Sequence, residues 1–404
     1  MMRSYVLKVL ACAAAAILAL GVLIVCIDAF ALFGTRIIPG NLFPHNLRMT
    51  TSGDRVIKAI EIAKIRQPLD MLFAGSSRVA FAFDPRAPLL SQMRTYNAGL
   101  NGSHSYETGI VVRYAIDHVP NIRRIVWNID FEEFFRPLGV EADFAQSGFA
   151  GTPLVIGLAR HVLSYEALRK SVSAAGSALR GGFFPYIDVD GFYVHERSEA
   201  TQGPLDYPSM PRLRNFYPGY VFSGQRVYAE LLDARLADVD ATLAYAKARG
   251  IDVDIVLMPV HATRLEVFRV GGLLPLFESW KQALARNIAA ARSLPGGGTI
   301  RAFDFSPIKE LSQEDFPPPD SGKRTRFFLE TLHPGPEVGD TIVARLLDRP
   351  PPIDMPGFGV PLQDAVTPER VAEDHAKLGA WEDTHPDLVA EIRKLVEHES
   401  LIGK

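Results

Sequence analysis

Cysteine is nearly absent from this 404-residue chain, which has two, Cys12 and Cys26. Both lie inside one apolar stretch near the N-terminus, so the remainder can form no disulfide, offer no thiolate nucleophile and build no cysteine-based zinc site. Histidine supplies no substitute, because none of the ten stands in an H-x-x-x-H or H-x-H pair. No metal and no cofactor is expected. A dominant charge is missing too: 43 Lys and Arg stand against 46 Asp and Glu, with no basic stripe to neutralise phosphates. Nucleic acid is therefore not an expected partner, and no internal repeat is found.

What is present is apolar material. Hydrophobic residues make up 48% of the chain, with 24 Phe and 3 Trp, enough for a sizeable core and far from the composition of disordered segments. Between Lys8 and Asp28 runs VLACAAAAILALGVLIVCI, uncharged throughout. As a helix it is long enough to cross roughly 30 Å of hydrocarbon. Ala29-Phe30-Ala31 also offers an A-x-A-like cleavage site, but the apolar stretch exceeds the roughly 7 to 15 residues of a signal-peptide core, which favours a retained anchor. Arg3 and Lys8 precede the span and should stay in the cytoplasm, although Arg36 beyond it weakens the asymmetry. The expectation is a single-pass protein of the cytoplasmic (inner) membrane with its bulk facing the periplasm.

Residues 1–33 read as the anchor and 34–55, with Gly34, Pro39, Gly40 and Pro44, as a juxtamembrane linker. From 56 to 347 the pattern is α/β. A helix is expected near 56–65, then a buried strand LDMLFA at 69–74 that runs into Gly75-Ser76-Ser77. Further strands fall at 94–98, 124–130 (RIVWNID), 253–259 (VDIVLMP) and 299–305 (TIRAFDF), separated by helices near 105–117, 224–249 and 276–293. Five strands with helical crossovers imply a three-layer α/β/α sandwich around a mainly parallel sheet. Residues 135–222 break the rhythm, with an amphipathic piece at 164–179 and a turn at 188–191, and read as an insertion or lid. The stretch 348–404 is a Pro-rich tail ending in a charged helix near 386–398.

In such sheets chemistry gathers in the loops at the carboxyl ends of strands. Those loops carry Ser77 and Arg78 after the first strand, Gly99 after the second, Asn128 and Asp130 at the third, His261 after the fourth, and Glu330 and His333 after the fifth. A hydroxyl nucleophile needs a base, a group that orients the base, and donors for the developing oxyanion, and these loops contain all three types. On its own Gly-Ser-Ser equally describes a turn with a helix cap, and His333 before Pro334 a surface histidine. Arg78 and His261 are candidates for touching substrate. The aromatic-rich stretch 183–193 could stack on sugar rings or fill a core.

Gly75-Ser76-Ser77, Asn97-Ala98-Gly99 and Glu330-Thr331-Leu332-His333 together resemble the SGNH, or GDSL-like, hydrolase superfamily, whose nucleophile follows the first strand in G-D-S and whose acid and base lie late in the chain as D-x-x-H. The resemblance covers roughly residues 68–345 apart from the insertion. It implies an SGNH- or flavodoxin-like fold and a catalytic set of Ser77, His333 and Glu330. The oxyanion donors it implies are the amides of Ser77 and Gly99, with the Asn128 side chain as a third. The sequence departs from the pattern in placing Ser76 for the usual Asp, Glu330 for Asp, and Trp127-Asn128-Ile129-Asp130 for G-x-N-D. An ionised Asp130 can only accept hydrogen bonds and is read as a brace for a neighbouring loop. Membrane-tethered relatives with the G-S-S form include the proteins that transfer D-alanine to teichoic acids, with alginate O-acetylation proteins more distant. The resemblance therefore implies an esterase or O-acyltransferase acting on an envelope glycan or other acylated carbohydrate, with a membrane-bound acyltransferase as a partner. The rival expectation is a non-catalytic envelope protein that kept the fold to bind glycan or to scaffold such an enzyme.

Overall fold

The computed structural model describes residues 2–42, 48, 53–135, 140–141, 143–181, 186–194, 228, 232–317 and 325–402. In chain order the helices and strands are α1 (Met2–Ile27), α2 (Asp54–Lys64), β1 (Leu69–Ala74), α3 (Ser77–Ala82), β2 (Thr95–Asn97), α4 (Ser105–His118) and β3 (Ile122–Asn128). Next come α5 (Leu154–Val162), α6 (Tyr165–Leu179), the short strands β4 (Tyr186–Ile187) and β5 (Tyr193–Val194), and α7 over residues 232–248. The chain continues with β6 (Asp252–Leu257), α8 (Ala262–Val270), α9 (Leu274–Arg292), β7 (Ile300–Asp304), α10 (Pro336–Leu346) and β8 (Val360–Pro361). Three helices close it: α11 (Leu362–Ala365), α12 (Pro368–Thr384) and α13 (Pro386–Ile402). These elements divide into two compact units, Met1–Lys64 with Glu141–Gln202, and Ile65–Val140 with Gly203–Lys404.

The second unit is α/β with one six-stranded sheet in the order β2-β1-β3-β6-β7-β8. The first five of these strands are mutually parallel, and β8 pairs antiparallel with β7 through Phe303↔Pro361 and Asp304↔Val360. The expected five strands are thus joined by a sixth at the edge, supplied by the Pro-rich tail. A two-residue strand containing proline has no periodicity to announce it, and an edge is where the missing proline N–H is tolerated. β1 is apolar on both faces because helices cover both, as its buried Met71, Leu72, Phe73 and Ala74 show. After β1 the chain steps outward to β2 and then crosses back to β3, so strand order reverses between β1 and β3, where open α/β sheets bind ligands. One core face packs Phe73, Val79 and Phe83 with Phe305, Phe328, Val338 and Ile342, which ties α3 to α10 under the end of β1.

The first unit joins the apolar helix α1 to α2, α5 and α6. Its core contains Ile27, Ala29, Phe30, Ile38, Ile57, Ala167, Ala174 and Ala178. α1 is long and apolar enough over Tyr5–Ile27 to cross a membrane. It ends in a built turn: Asp28, with φ +46°, accepts the amides of Leu32 and Gly34 on its carboxylate at 2.8 Å each, and its carbonyl takes Arg36 Nη2 at 2.7 Å. Lys58 of α2 is fully buried, and that burial pushes its ammonium down to about 7, partly offset by Asp54. Tyr193 on β5 donates its hydroxyl to Asp54 at 2.7 Å.

Candidate active site

The site begins where β1 ends. Gly75 has φ +151°, and a side chain there would meet Val79 Cγ2 at 2.5 Å and Asn128 Cβ at 3.0 Å. Only glycine lets the chain leave the sheet between β1 and β3 this tightly. Ser76 then caps α3, its hydroxyl accepting from Arg78 N at 3.3 Å, and Ser77 occupies the first helical position. In that position the Ser77 amide has no intrahelical acceptor.

Ser77 Oγ lies 2.7 Å from Nε2 of His333. His333 Nδ1 in turn donates to Glu330 Oε1, which leaves Nε2 as the acceptor facing the serine hydroxyl. The other oxygen of Glu330 accepts Leu332 N at 2.8 Å. Glu330 is 2% exposed and His333 8%, so the pair is shielded while Ser77 is half-buried. Serine, histidine and acid, 256 residues apart in the chain for the first pair, form one continuous line of hydrogen bonds.

The loop that carries Glu330 and His333 is closed on itself: Leu329 N donates to His333 O at 2.8 Å and Gly335 N to Phe327 O at 2.7 Å. Beneath it the carboxylate of Glu314 accepts the amides of Phe327 at 2.8 Å and Phe328 at 3.1 Å, and also that of Arg326. The Phe81 ring and the His333 imidazole make a T-shaped contact, centroids 4.8 Å apart at 76°. Neither Glu314 nor Phe81 stood out in the sequence. Glu314 lies in an irregular segment, and a carboxylate that folds a loop has no spacing to betray it.

Arg78 and His261 are both engaged inside the fold. Arg78 Nη1 pairs with Asp130 Oδ1 at 2.5 Å and Nη2 donates to the Pro259 carbonyl. Asp130 also accepts the Ser76 hydroxyl at 2.7 Å and Asn128 Nδ2 at 3.2 Å, so it braces the turn that presents Ser77. His261 caps α8, its Nδ1 accepting Thr263 N at 3.2 Å. Its Nε2 donates to the Glu314 carbonyl at 2.9 Å. Burial lowers its pKa to about 4, so it is neutral at pH 7 and links α8 to the segment that supports Glu330.

The three oxyanion candidates fare differently. Gly99 N donates to Asn97 Oδ1 at 2.9 Å, and Asn97 Nδ2 ties back to the carbonyls of Val79 and Phe83 at 2.9 and 2.8 Å. Asn128 Nδ2 is committed to Val256 O at 3.0 Å as well as to Asp130. The Ser77 amide makes no hydrogen bond among the described residues. Of the three, it is the donor left to face a ligand. Among the described residues no group of three or more His, Cys, Asp or Glu side chains is placed to hold a metal ion. The aromatic stretch 183–193 is only partly within the described residues, where Ile187, Phe192 and Tyr193 are buried.

Compared with known proteins, the chain matches no family model, and no curated protein is significantly similar to it in sequence.

Proposed function

We propose that this protein is a membrane-anchored serine esterase or O-acyltransferase of SGNH-like type, facing the periplasm and acting on acyl groups of an envelope glycan. The observation that carries this reading is the 2.7 Å approach of Ser77 Oγ to His333 Nε2, with Glu330 holding the far nitrogen. In the reaction Ser77 Oγ forms a bond to the acyl carbonyl carbon as its proton passes to His333 Nε2. Glu330 stabilises the imidazolium so formed. Negative charge moves onto the carbonyl oxygen, beside the Ser77 amide. Collapse breaks the ester bond, and the leaving alkoxide takes the proton from His333. Water or a sugar hydroxyl then delivers a proton to His333 and attacks the acyl-serine, which restores Ser77 and completes hydrolysis or transfer.

Anchoring rests on α1 and on the turn after it. Ala29 and Phe30, the core of the A-x-A-like stretch, are buried against the first unit, which favours a span that is kept over one that is cut. The cationic residues before the span favour a periplasmic bulk. The non-catalytic alternative, a glycan-binding or scaffold protein, is favoured by one observation: Gly99 and Asn128 spend their donors inside the fold.

Initial rates on a chromogenic acetyl ester separate the two. Ser77→Ala and His333→Ala should each lower turnover by on the order of 10⁴-fold or more, to the same residual rate, and the double variant no further, because the residues work as one unit. Glu330→Gln should cost less than either, since it keeps the shape and loses the charge. A folded Ser77→Ala protein with near parental turnover would leave the scaffold reading in its place.

A further inference from the structure

Helix α6 is divided lengthwise into three sectors. Ala167, Ser171, Ala174 and Ala178 recur at steps of three and four residues and are buried, the alanines in the core that also holds Ile27 and Phe30 at the end of α1. Small side chains there let the two helices approach closely. Glu166, Arg169, Lys170, Ser173, Ser177 and Arg180 form a polar sector. Between the two runs a bulky apolar stripe of Tyr165, Leu168, Val172 and Leu179, in which Tyr165 is 79% exposed and Leu179 65%. α5 extends this open apolar surface with Val155 and Ile156, and Leu163 joins the helices on the same terms.

The stripe is continuous with α1, and its depth can be read. Leu163 Cδ2 lies 3.3 Å from the point where a side chain on Gly21 would begin. Gly21 is six residues inside the end of α1 at Ile27, about 9 Å at 1.5 Å per residue. Amphipathic helices at a bilayer surface bury their apolar face to about 5–10 Å. Residues 154–180 also carry Arg160, Arg169, Lys170 and Arg180 against the single acid Glu166, a balance suited to anionic headgroups.

We propose that α5 and α6 are embedded in the surface of the lipid bilayer beside α1, with the Tyr165–Val172–Leu179 stripe on the acyl chains and the polar sector among the headgroups. The inference rests on the reading that α1 crosses the membrane. It makes the first unit an interfacial platform whose own depth and tilt in the membrane are fixed, where a single span would leave both free.

The test uses the full-length chain with Cys12→Ala and Cys26→Ala, reconstituted in vesicles of phosphatidylcholine and phosphatidylglycerol. An environment-sensitive fluorophore is attached in turn to Val172→Cys, Leu179→Cys, Ser173→Cys and Leu18→Cys, and quenching by nitroxide-labelled acyl chains is read. Labels at 172 and 179 should be quenched as strongly as the label at 18, inside α1, while the label at 173 on the polar sector should not. Quenching at 18 without quenching at 172 and 179 would keep the span and overturn the platform. Disulfide-linked dimers of the unlabelled Val172→Cys protein, with no lipid quenching once it is labelled, would mean that a second copy covers the stripe and would overturn it too. No quenching at 18 would sink the membrane reading itself and the platform with it.

Discussion

Asp130 gathers three donors at the turn before α3. One carboxylate takes the Ser76 hydroxyl, the Arg78 guanidinium and the Asn128 amide, and so fixes the turn from which Ser77 projects. Its role as an acceptor was legible from chemistry alone, since an ionised carboxylate has no proton to donate. The engagement of Arg78 and Gly99 was not legible, because whether a donor is already spent depends on which distant carbonyl or amide oxygen folds beside it. Ser77, His333 and Glu330 were legible from their order and their places at strand ends; the 2.7 Å contact between the first two was not.

Asp340 on α10 stands near the carboxylates of Asp84 and Glu337. Burial, reinforced by the nearby Asp84 and Glu337 carboxylates, raises its pKa to about 7. Between about pH 4 and pH 7 the folded protein therefore holds a proton that the unfolded chain has released, and stability falls as pH rises through that window. Asp340→Asn, which mimics the protonated acid, should raise the thermal midpoint at pH 8 and make little difference at pH 4. Midpoints measured across that range check it; a gain of equal size at both ends would assign the effect to something other than titration.

The candidate site depends on how closely α3 approaches α10. A side chain on Gly339 would stand 1.9 Å from the Ala82 carbonyl oxygen and 2.5 Å from its carbon, so the two helices touch backbone to backbone. Gly339→Ala should force them apart and destabilise the second unit by about 1–3 kcal/mol, the usual cost of overpacking. Because α3 carries Ser77 and α10 follows His333 by three residues, ester turnover should fall more than the loss of folded protein explains. Denaturant unfolding with rates normalised to folded protein separates the two effects, and an unchanged rate per folded molecule would mean that this contact supports stability alone.

The strands β1, β3, β6 and β7 were readable as short apolar runs ending in glycine, proline or aspartate, and the long helices α4 and α9 by their periodicity. α8 and α10 were not read. α8 begins directly after the Pro259 loop with no polar cap of the usual kind, its cap being His261, and its residues from Ala262 to Phe268 are buried all round, which erases any amphipathic stripe. The pairing of the Pro-rich tail with β7 is tertiary and left no local trace.

The chain comprises two compact units, Met1–Lys64 with Glu141–Gln202 and Ile65–Val140 with Gly203–Lys404, and the second, α/β unit carries the candidate site. Short-range pattern could not disclose that, since the grouping is made by packing between α1, α2, α5 and α6. Lipid quenching tests whether the first unit lies in the membrane. For the candidate nucleophile in the second unit, one measurement is the most direct. The full-length protein is treated with a fluorophosphonate, which phosphonylates a serine only when a neighbouring base has made it nucleophilic, and the labelled peptide is mapped by mass spectrometry. Labelling should fall on Ser77 alone, disappear in Ser77→Ala and collapse in His333→Ala. A folded protein that takes no label at Ser77, or takes it equally well without His333, would contradict a catalytic serine here.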